Sequence, residues 1–390
     1  MLKSLRIKNF KAVRDSKAIR LTPLTVFIGN NGSGKSSIIE ALETYKTIIE
    51  SNLDTAMRPW RGFEYVRNQA IPHISQNSNG DRPYESNPTE FNLLWQNYRA
   101  TMSITSSSGG NELFIQKEQI EIKGKLAAHR SSNGEALYPY WDKEEFSTIA
   151  LRLPDDISCV SSFTDSELKI DLHENITQWQ FLNLNPSAMV NPTPQKRSGG
   201  QIHLAKDGSN IAEYSLSIQS KDPSAFIGII ETLQYVLPYA RDLQPKITSE
   251  LERSVYLQLT EADFKVPSWL FSTGTLRILS LLAVLRHPTP PPLIVIEEIE
   301  NGLDPRTIHL IVEEIRNAVE SGRSQIIVTT HSPYLLDLLT ISQIVMVERD
   351  SKGQPVFTRP ADQKSLQDWS EQFSLGKLYT MGQLNQEGIS

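Results

Sequence analysis

The residues best equipped for chemistry are a glycine-rich octapeptide and a pair of adjacent carboxylates. Gly29-Asn30-Asn31-Gly32-Ser33-Gly34-Lys35-Ser36 satisfies the spacing G-x-x-x-x-G-K-[ST] in full. Its glycines let the chain wrap closely, so that successive backbone N–H groups point at phosphate oxygens. A helix beginning at Lys35 adds the positive end of its dipole. In this reading Lys35 reaches the β and γ phosphates of ATP and the Ser36 hydroxyl holds Mg²⁺, while Asn30, Asn31, Gly32, Ser33, Gly34 and Ser37 complete the cradle. The second element is Leu293-Ile294-Val295-Ile296-Glu297-Glu298, an apolar run ending in two carboxylates. Metal-assisted phosphoryl transfer needs such a pair. Glu297 is expected to bind Mg²⁺ directly or through water, and Glu298 to orient and deprotonate the attacking water. A strand that merely runs out into a charged loop is the bland alternative, but a phosphate loop requires a carboxylate partner of this kind.

These residues need elements to position them. Leu5 and Ile7 alternate with Arg6 and Lys8, and Leu24–Ile28 is a short apolar run; both read as strands. Lys35 to Ile49 has helical periodicity through Ile38, Ile39, Leu42 and Tyr45. Strand, glycine turn and helix in that order predict the opening of a P-loop α/β domain. The same signature returns late in the chain. Leu276–Leu285 is a predicted helix, Leu293–Ile296 a buried strand, Ile308–Val319 an amphipathic helix, Gln325–Thr329 a second buried strand and Pro333–Leu339 a helix. That alternation predicts a mostly parallel sheet with helices on both faces. Between the two parts the pattern changes. Tyr98–Thr105, Leu113–Ile122 and Phe146–Leu153 alternate at period two and read as antiparallel strands. Phe226–Val236 reads as a helix, and the Gly, Asn, Pro and Ser-rich stretches 72–88 and 186–200 as loops. The expected organisation is a split ATPase core (1–50 and 265–345), an inserted antiparallel-β and helical subdomain (51–264), and a strand and helix tail (346–390).

Composition excludes several classes. With 39% hydrophobic and 22% charged residues among 390, the chain can bury a full core and is not low-complexity. No apolar run approaches the ~20 residues of a membrane span, and the amino terminus has no apolar signal core. The single cysteine, Cys159, excludes an internal disulfide framework or a cysteine zinc site. These features predict a cytoplasmic protein without a membrane partner. The net charge of −6 gives no global sign of nucleic-acid affinity. The first twenty residues differ, since Lys3, Arg6, Lys8, Lys11, Arg14, Lys17 and Arg20 face only Asp15. They read either as a solvated strand face or as a phosphate-contacting patch. Lys196, Arg197, His203 and Lys206 add to the second possibility.

The residues together resemble the ABC-type ATPases of the RecF and SMC group, in particular short bacterial AAA-like members without a long coiled coil. Ile7-Lys8-Asn9-Phe10-Lys11 resembles that group's opening strand, and Glu297-Glu298-Ile299-Glu300-Asn301-Gly302-Leu303-Asp304-Pro305 its Walker B strand running into the D-loop. Ser272-Thr273-Gly274-Thr275 stands where the group carries its signature motif, and Thr330-His331-Ser332 matches its switch histidine. The resemblance implies that His331 contacts the γ-phosphate or the attacking water. It implies that Ser272 to Thr275 meet ATP bound by an opposite subunit, and that Asp304 belongs to the subunit interface. Two such half-sites imply a head-to-tail homodimer or a higher homo-oligomer. The chain departs from the group's pattern in having Glu297 where most members have Asp, and in lacking the second signature glycine. Gln69 lies about where a metal-contacting Q-loop glutamine is expected; the alternative is an ordinary loop glutamine.

Fifty-nine residues follow His331, too few for an added nuclease domain, and no TOPRIM or HNH pattern occurs. Any nuclease or toxin activity is therefore expected on a separately encoded effector. Two functions stand open, the first implied by the resemblance and the second favoured by the acidic charge and the lack of an effector domain. One is an ATPase whose dimerisation follows its nucleotide and which acts on DNA or on a partner effector, in DNA repair or anti-phage defence. The other is a slow-hydrolysing, ATP-switched scaffold that restrains a toxin or nuclease without binding DNA.

Overall fold

The computed structural model describes residues 1–72, 75–76, 84–108, 110, 112–141, 146–162, 172–196, 201–249 and 252–384. The chain divides into two compact units: Met1–Thr22, Phe27–Trp179 and Val345–Arg359 form the first, and Pro23–Val26, Gln180–Ile344 and Pro360–Ser390 the second.

The first unit is built on an antiparallel sheet, nine-stranded among the described residues. From one edge it runs through Phe146–Arg152, Glu135–Trp141, Lys125–Arg130, Leu113–Ile122, Tyr98–Ser106 and Thr89–Trp95 to Leu2–Phe10, which also pairs with Val13–Asp15 and Ile19–Arg20. Period-two alternation turns one face inward: Leu5, Ile7, Phe91, Leu93, Ala100, Met102, Ile104 and Ile120 are buried. The Lys35–Glu50 helix belongs to the same unit, with Ile38, Ile39, Leu42, Tyr45 and Ile48 buried and the Tyr45 ring 5.7 Å from that of Phe91. The register Ile7↔Phe91 places the opening strand directly beside the strands that follow the phosphate-loop helix. The Ser161 hydroxyl donates to the Ile49 carbonyl at 2.7 Å, fastening the end of that helix.

Glu118, Ser158 and Cys159 make a buried polar knot beneath the sheet. The Ser158 hydroxyl and Cys159 N–H donate to the two Glu118 oxygens at 2.5 and 2.7 Å. Burial raises the Glu118 carboxyl above its ordinary pKa, opposed by those two hydrogen bonds and the Arg130 charge. Burial also pushes the Cys159 thiol up, which leaves it far from the thiolate a reactive cysteine needs.

The basic segment at the start of the chain resolves as a largely paired sheet face. The Arg6 guanidinium donates to both Asp15 oxygens at 2.9 and 2.7 Å, and Lys17 reaches the same carboxylate at 3.1 Å. Lys8 pairs with Glu90 at 2.7 Å, and Lys11 with Glu40 at 2.5 Å while lying over the Trp60 ring. The partners Glu40 and Glu90 come from beyond the first twenty residues, which is why a count confined to that segment finds only Asp15. Of the later basic residues, Arg197 lies outside the described residues.

In the second unit three parallel strands, Gln180–Leu182, Leu293–Ile296 and Gln325–Thr330, lie side by side. Ile326 N–H donates to Pro23 O at 2.8 Å at the entry to Leu24–Ile28. The Leu293–Ile296 and Gln325–Thr330 strands are buried throughout, as strands covered on both faces must be. The covering helices include Thr273–Leu285 and Pro305–Glu320. Leu276, Leu279, Leu282, Ile294, Ile296, Ile308, Ile311 and Ile315 share one core. A separate antiparallel sheet of Thr193–Pro194, Ser254–Glu261, Ala240–Ile247 and Phe264–Pro267 completes the unit. Among the described residues no helix is long and apolar enough to cross a membrane.

The expected loop 186–200 is in part ordered secondary structure. Asn185 accepts the Ser187 N–H at 3.1 Å and Pro186 occupies the first turn, so Pro186–Met189 closes as a short helix. Thr193–Pro194 pairs with the Ser254–Glu261 strand. Most of the other predicted loop, 72–88, lies outside the described residues. In the tail, Ile344–Arg349 and Pro355–Thr358 form a hairpin followed by the helices Lys364–Gln372 and Leu375–Thr380.

Candidate nucleotide site

The phosphate loop lies in the first unit. Leu24–Ile28 ends at Gly29, where a side chain has no room: a Cβ there would fall 2.0 Å from the Val347 carbonyl oxygen. Gly34 caps the Lys35–Glu50 helix at a φ of 115°, a left-handed conformation that glycine adopts without steric cost. At Gly32, by contrast, a Cβ would meet nothing within 4 Å. Asn30, Asn31, Gly32 and Ser36 are exposed, whereas Ser33, Lys35 and Ser37 are buried. The Lys35 ammonium donates to the Gly29 and Asn30 carbonyls at 2.7 and 3.0 Å, bracing the turn it is expected to serve. Among the described residues the buried Ser33 hydroxyl has no hydrogen-bond partner. An open cradle, an unpartnered hydroxyl and a cation drawn into the loop fit a bound triphosphate.

The hairpin of the tail also touches this loop. The Arg349 guanidinium donates to Gly32 O at 2.7 Å and to Gly353 O at 2.6 Å, and a Cβ at Gly34 would meet Pro355 at 2.7 Å. Nothing local in the sequence signals Arg349, which lies 317 residues from Gly32. The close approach at Gly29 is testable. Gly29→Ala is expected to destabilise the chain by about 3 kcal/mol, the upper part of the usual overpacking range. A urea midpoint equal to that of the unsubstituted protein would show that the contact relaxes freely.

Gln69 lies in the first unit too, on an exposed turn after the Phe63–Val66 helix. Its amide N–H groups are directed at the Glu64 and Arg67 carbonyls.

Glu297, Glu298, His331 and Ser272 to Thr275 all lie in the second unit. The Leu293–Ile296 strand delivers Glu297, whose N–H donates to Leu182 O at 2.9 Å. Glu298 follows with a φ of 47°, an uncommon conformation for a residue with a side chain. Its N–H is held by the Thr329 hydroxyl at 2.9 Å, and its carboxylate accepts from the Asn301 amide at 2.5 Å. The exposed Glu298 carboxylate therefore stands at a strained turn that both neighbouring strands help to define.

His331 follows the fully buried Gln325–Thr330 strand. Its backbone N–H donates to Glu300 Oε1 at 2.6 Å. Thr330 Oγ1 accepts the next N–H, that of Ser332, at 2.9 Å, which fixes the turn on which the imidazole is carried.

Ser272 caps the Thr273–Leu285 helix by accepting Thr275 N–H at 3.0 Å, and Ser272 and Thr273 are exposed. Gly274 packs against the turn after Glu298, since a Cβ there would lie 3.0 Å from Gly302 O. Arg277, one helical turn on, donates to Leu184 O at 2.7 Å and is half-buried. Burial lowers the Arg277 pKa, while Glu298 and Glu300 hold its charge in place from nearby. Asp304 caps Pro305–Glu320, accepting the Arg306 and Thr307 N–H groups and the Thr307 hydroxyl. Those bonds, the Thr307 hydroxyl first, keep its carboxyl below the ordinary value. Arg277, Glu300, Asn301 and Arg349 are contacts that sequence reasoning missed as site residues. Asn301, three residues after Glu298, had the only local signal.

A model of the family described as "AAA domain, putative AbiEii toxin, Type IV TA system" matches residues 125–337, and one described as "AAA ATPase domain" matches residues 1–47. An OLD nuclease of Thermus scotoductus is 22% identical over 96% of this chain and 68% of its own length. An ATP/GTP phosphatase of Helicobacter pylori is 22% identical over 87% of each chain. Two solved SMC head domains share the fold. The first, bound to the C-winged helix domain of ScpA, has a TM-score of 0.56 at 15% identity and covers 92% of this chain and 96% of its own. The second, a head with an extended coiled coil bound to the C-terminal domain of ScpA derived from Pyrococcus furiosus, has a TM-score of 0.53 at 14% identity, covering 95% and 98%. The fold is thus the P-loop ABC-type ATPase head expected from the motifs. With a family model spanning more than half of its residues, this ATPase belongs to the AAA domain family described as "AAA domain, putative AbiEii toxin, Type IV TA system".

Proposed function

We propose that the chain hydrolyses ATP with Mg²⁺ as a nucleotide-dependent head-to-tail dimer that acts on DNA or on a separately encoded effector, in DNA repair or anti-phage defence. Lys35 and the N–H groups from Asn30 to Ser37 bind and orient the phosphates. Ser36 and Glu297 are the residues that would hold Mg²⁺, which neutralises charge developing on the transferred phosphoryl group. Glu298 takes the proton of the attacking water, and His331 orients that water or the γ-phosphate. The ATPase core is assigned to 1–50 and 265–345, with 51–264 inserted and 346–390 as its tail. The observation that carries the dimer is the helix start at Ser272. Its N-cap serine and Thr273 are exposed, and Asp304, across the turn that Gly274 packs on, is exposed as well. A helix N-terminus of this kind suits an anion brought by another molecule.

ATP turnover per chain is expected to rise with protein concentration and then level off, because the composite site needs a second copy. Constant specific activity down to the lowest concentration measured would overturn the dimer. Duplex DNA added at low salt is expected to raise turnover if DNA is the target. A rate indifferent to DNA moves the target to a protein, a reading favoured by the ion pairs on Arg6, Lys8, Lys11 and Lys17. The likeness to an OLD nuclease supports a link to nuclease action. The second reading, a slow-hydrolysing scaffold that restrains such a partner without binding DNA, draws on the same pairing.

A further inference from the structure

We infer that Glu300 is a positioning residue for the switch histidine: its carboxylate ties the His331 backbone to the turn that carries Glu298. The inference rests on the roles given above to Glu298 and His331. Glu300 lies two residues after Glu298 and is partly buried. Its Oε1 accepts the His331 N–H at 2.6 Å, short for a neutral donor and typical of a charge-assisted bond. No other hydrogen bond among the described residues holds that N–H. Without Glu300 it would be a buried-edge donor with nothing to fix it, and the Thr330–Ser332 turn would be free to rotate the imidazole.

The same carboxylate looks the other way as well. Its Oε2 is buried and has no hydrogen-bond partner among the described residues. Arg277, three residues beyond Gly274, is anchored at Leu184 O, and the charges of Glu298 and Glu300 act on its guanidinium. Glu300 therefore connects two elements of one unit: the turn after the Leu293–Ile296 strand and the residue following Gln325–Thr330. It touches no reacting atom, so its effect is on the placement of a group that does.

The test compares Glu300→Ala and Glu300→Gln with His331→Ala in the full chain. Steady-state ATP turnover, ATP affinity by a fluorescent analogue and the urea midpoint are measured for each. Glu300→Ala is expected to lower kcat about 100-fold, the loss expected when a reacting group moves by about 1 Å. ATP affinity should stay within about threefold, since the phosphate loop does not involve this residue. Glu300→Gln retains an acceptor for the His331 N–H and should restore kcat to within about fivefold of the unsubstituted chain. A Gln variant as slow as the Ala variant, or an Ala variant with unchanged kcat, overturns the inference. His331→Ala separates the two levels. If it turns over at the unsubstituted rate, the role given to His331 fails. If it is slow while Glu300→Ala is unaffected, only the positioning role fails.

Discussion

Glu298→Gln is expected to lower ATP turnover about 1000-fold, within the ~10²–10⁴ range that general-base catalysis supplies, while leaving ATP binding nearly intact. The glutamine keeps the size of the side chain and a carbonyl oxygen able to accept from the Asn301 amide, which now bonds the carboxylate at 2.5 Å. The backbone at this position stands at a φ of 47° whichever of the two residues occupies it, so the folded state meets the same local cost. What is lost is the capacity to take a proton from water. Kinetically, a fall in kcat with little change in ATP affinity marks an interaction made only in the transition state. Because hydrolysis is what opens the proposed dimer, the variant should accumulate as a dimer in ATP, seen by light scattering on a sizing column. Turnover close to that of the unsubstituted chain would remove Glu298 from the role of base.

Lys35→Ala is expected to weaken ATP binding about 100-fold, close to 3 kcal/mol at about 1.4 kcal/mol per factor of ten. That size is reasonable for charge-assisted bonds to phosphate. The ammonium is 6% exposed and donates to two loop carbonyls, Gly29 O and Asn30 O. Its removal takes away both the charge that would meet the phosphates and the brace that shapes the turn. Isothermal titration with ATP reads the first effect, and urea unfolding reports whether the second has spread. An ATP affinity within about threefold of the unsubstituted chain would mean that backbone N–H groups alone carry phosphate binding.

The two variants fail in different ways, which makes them useful together. Lys35→Ala loses binding and, with it, any ATP-dependent dimer. Glu298→Gln retains binding and traps the dimer. A chain in which neither substitution alters turnover would not use this site for hydrolysis at all.

Much of this site is legible in sequence because its parts are contiguous. Gly29–Ser36 must be a turn between a strand and a helix, and Leu293–Ile296 can only be a buried strand that ends in Glu297 and Glu298. The predicted helix Leu276–Leu285 starts three residues earlier in the structure, at Thr273, because Ser272 caps it. The middle of the chain was less legible. Lys125–Arg130 and Glu135–Trp141 lack the strict alternation that betrays a strand on its own; they are strands because Leu113–Ile122 and Phe146–Arg152 offer them hydrogen-bonding edges. Ala240–Ile247 is likewise stabilised by pairing with Ser254–Glu261, with prolines at 238 and 245 obscuring the pattern.

By itself, the sequence determined the ATPase class and the α/β head, since both depend on residue types at short, fixed spacing, and it singled out the glycine-rich loop and the carboxylate pair as the residues to test. Only the tertiary structure decided what surrounds them. It put Val347 O where Gly29 admits no side chain, Arg349 on Gly32, and the Glu300 carboxylate on the His331 N–H. It also turned the basic opening segment into a paired face by bringing Glu40 and Glu90 to Lys11 and Lys8. The physical reason is the same in each case. Hydrogen bonds and ion pairs act over about 3 Å, and residues 29 to 318 positions apart come within such distances only after the strands and helices have packed.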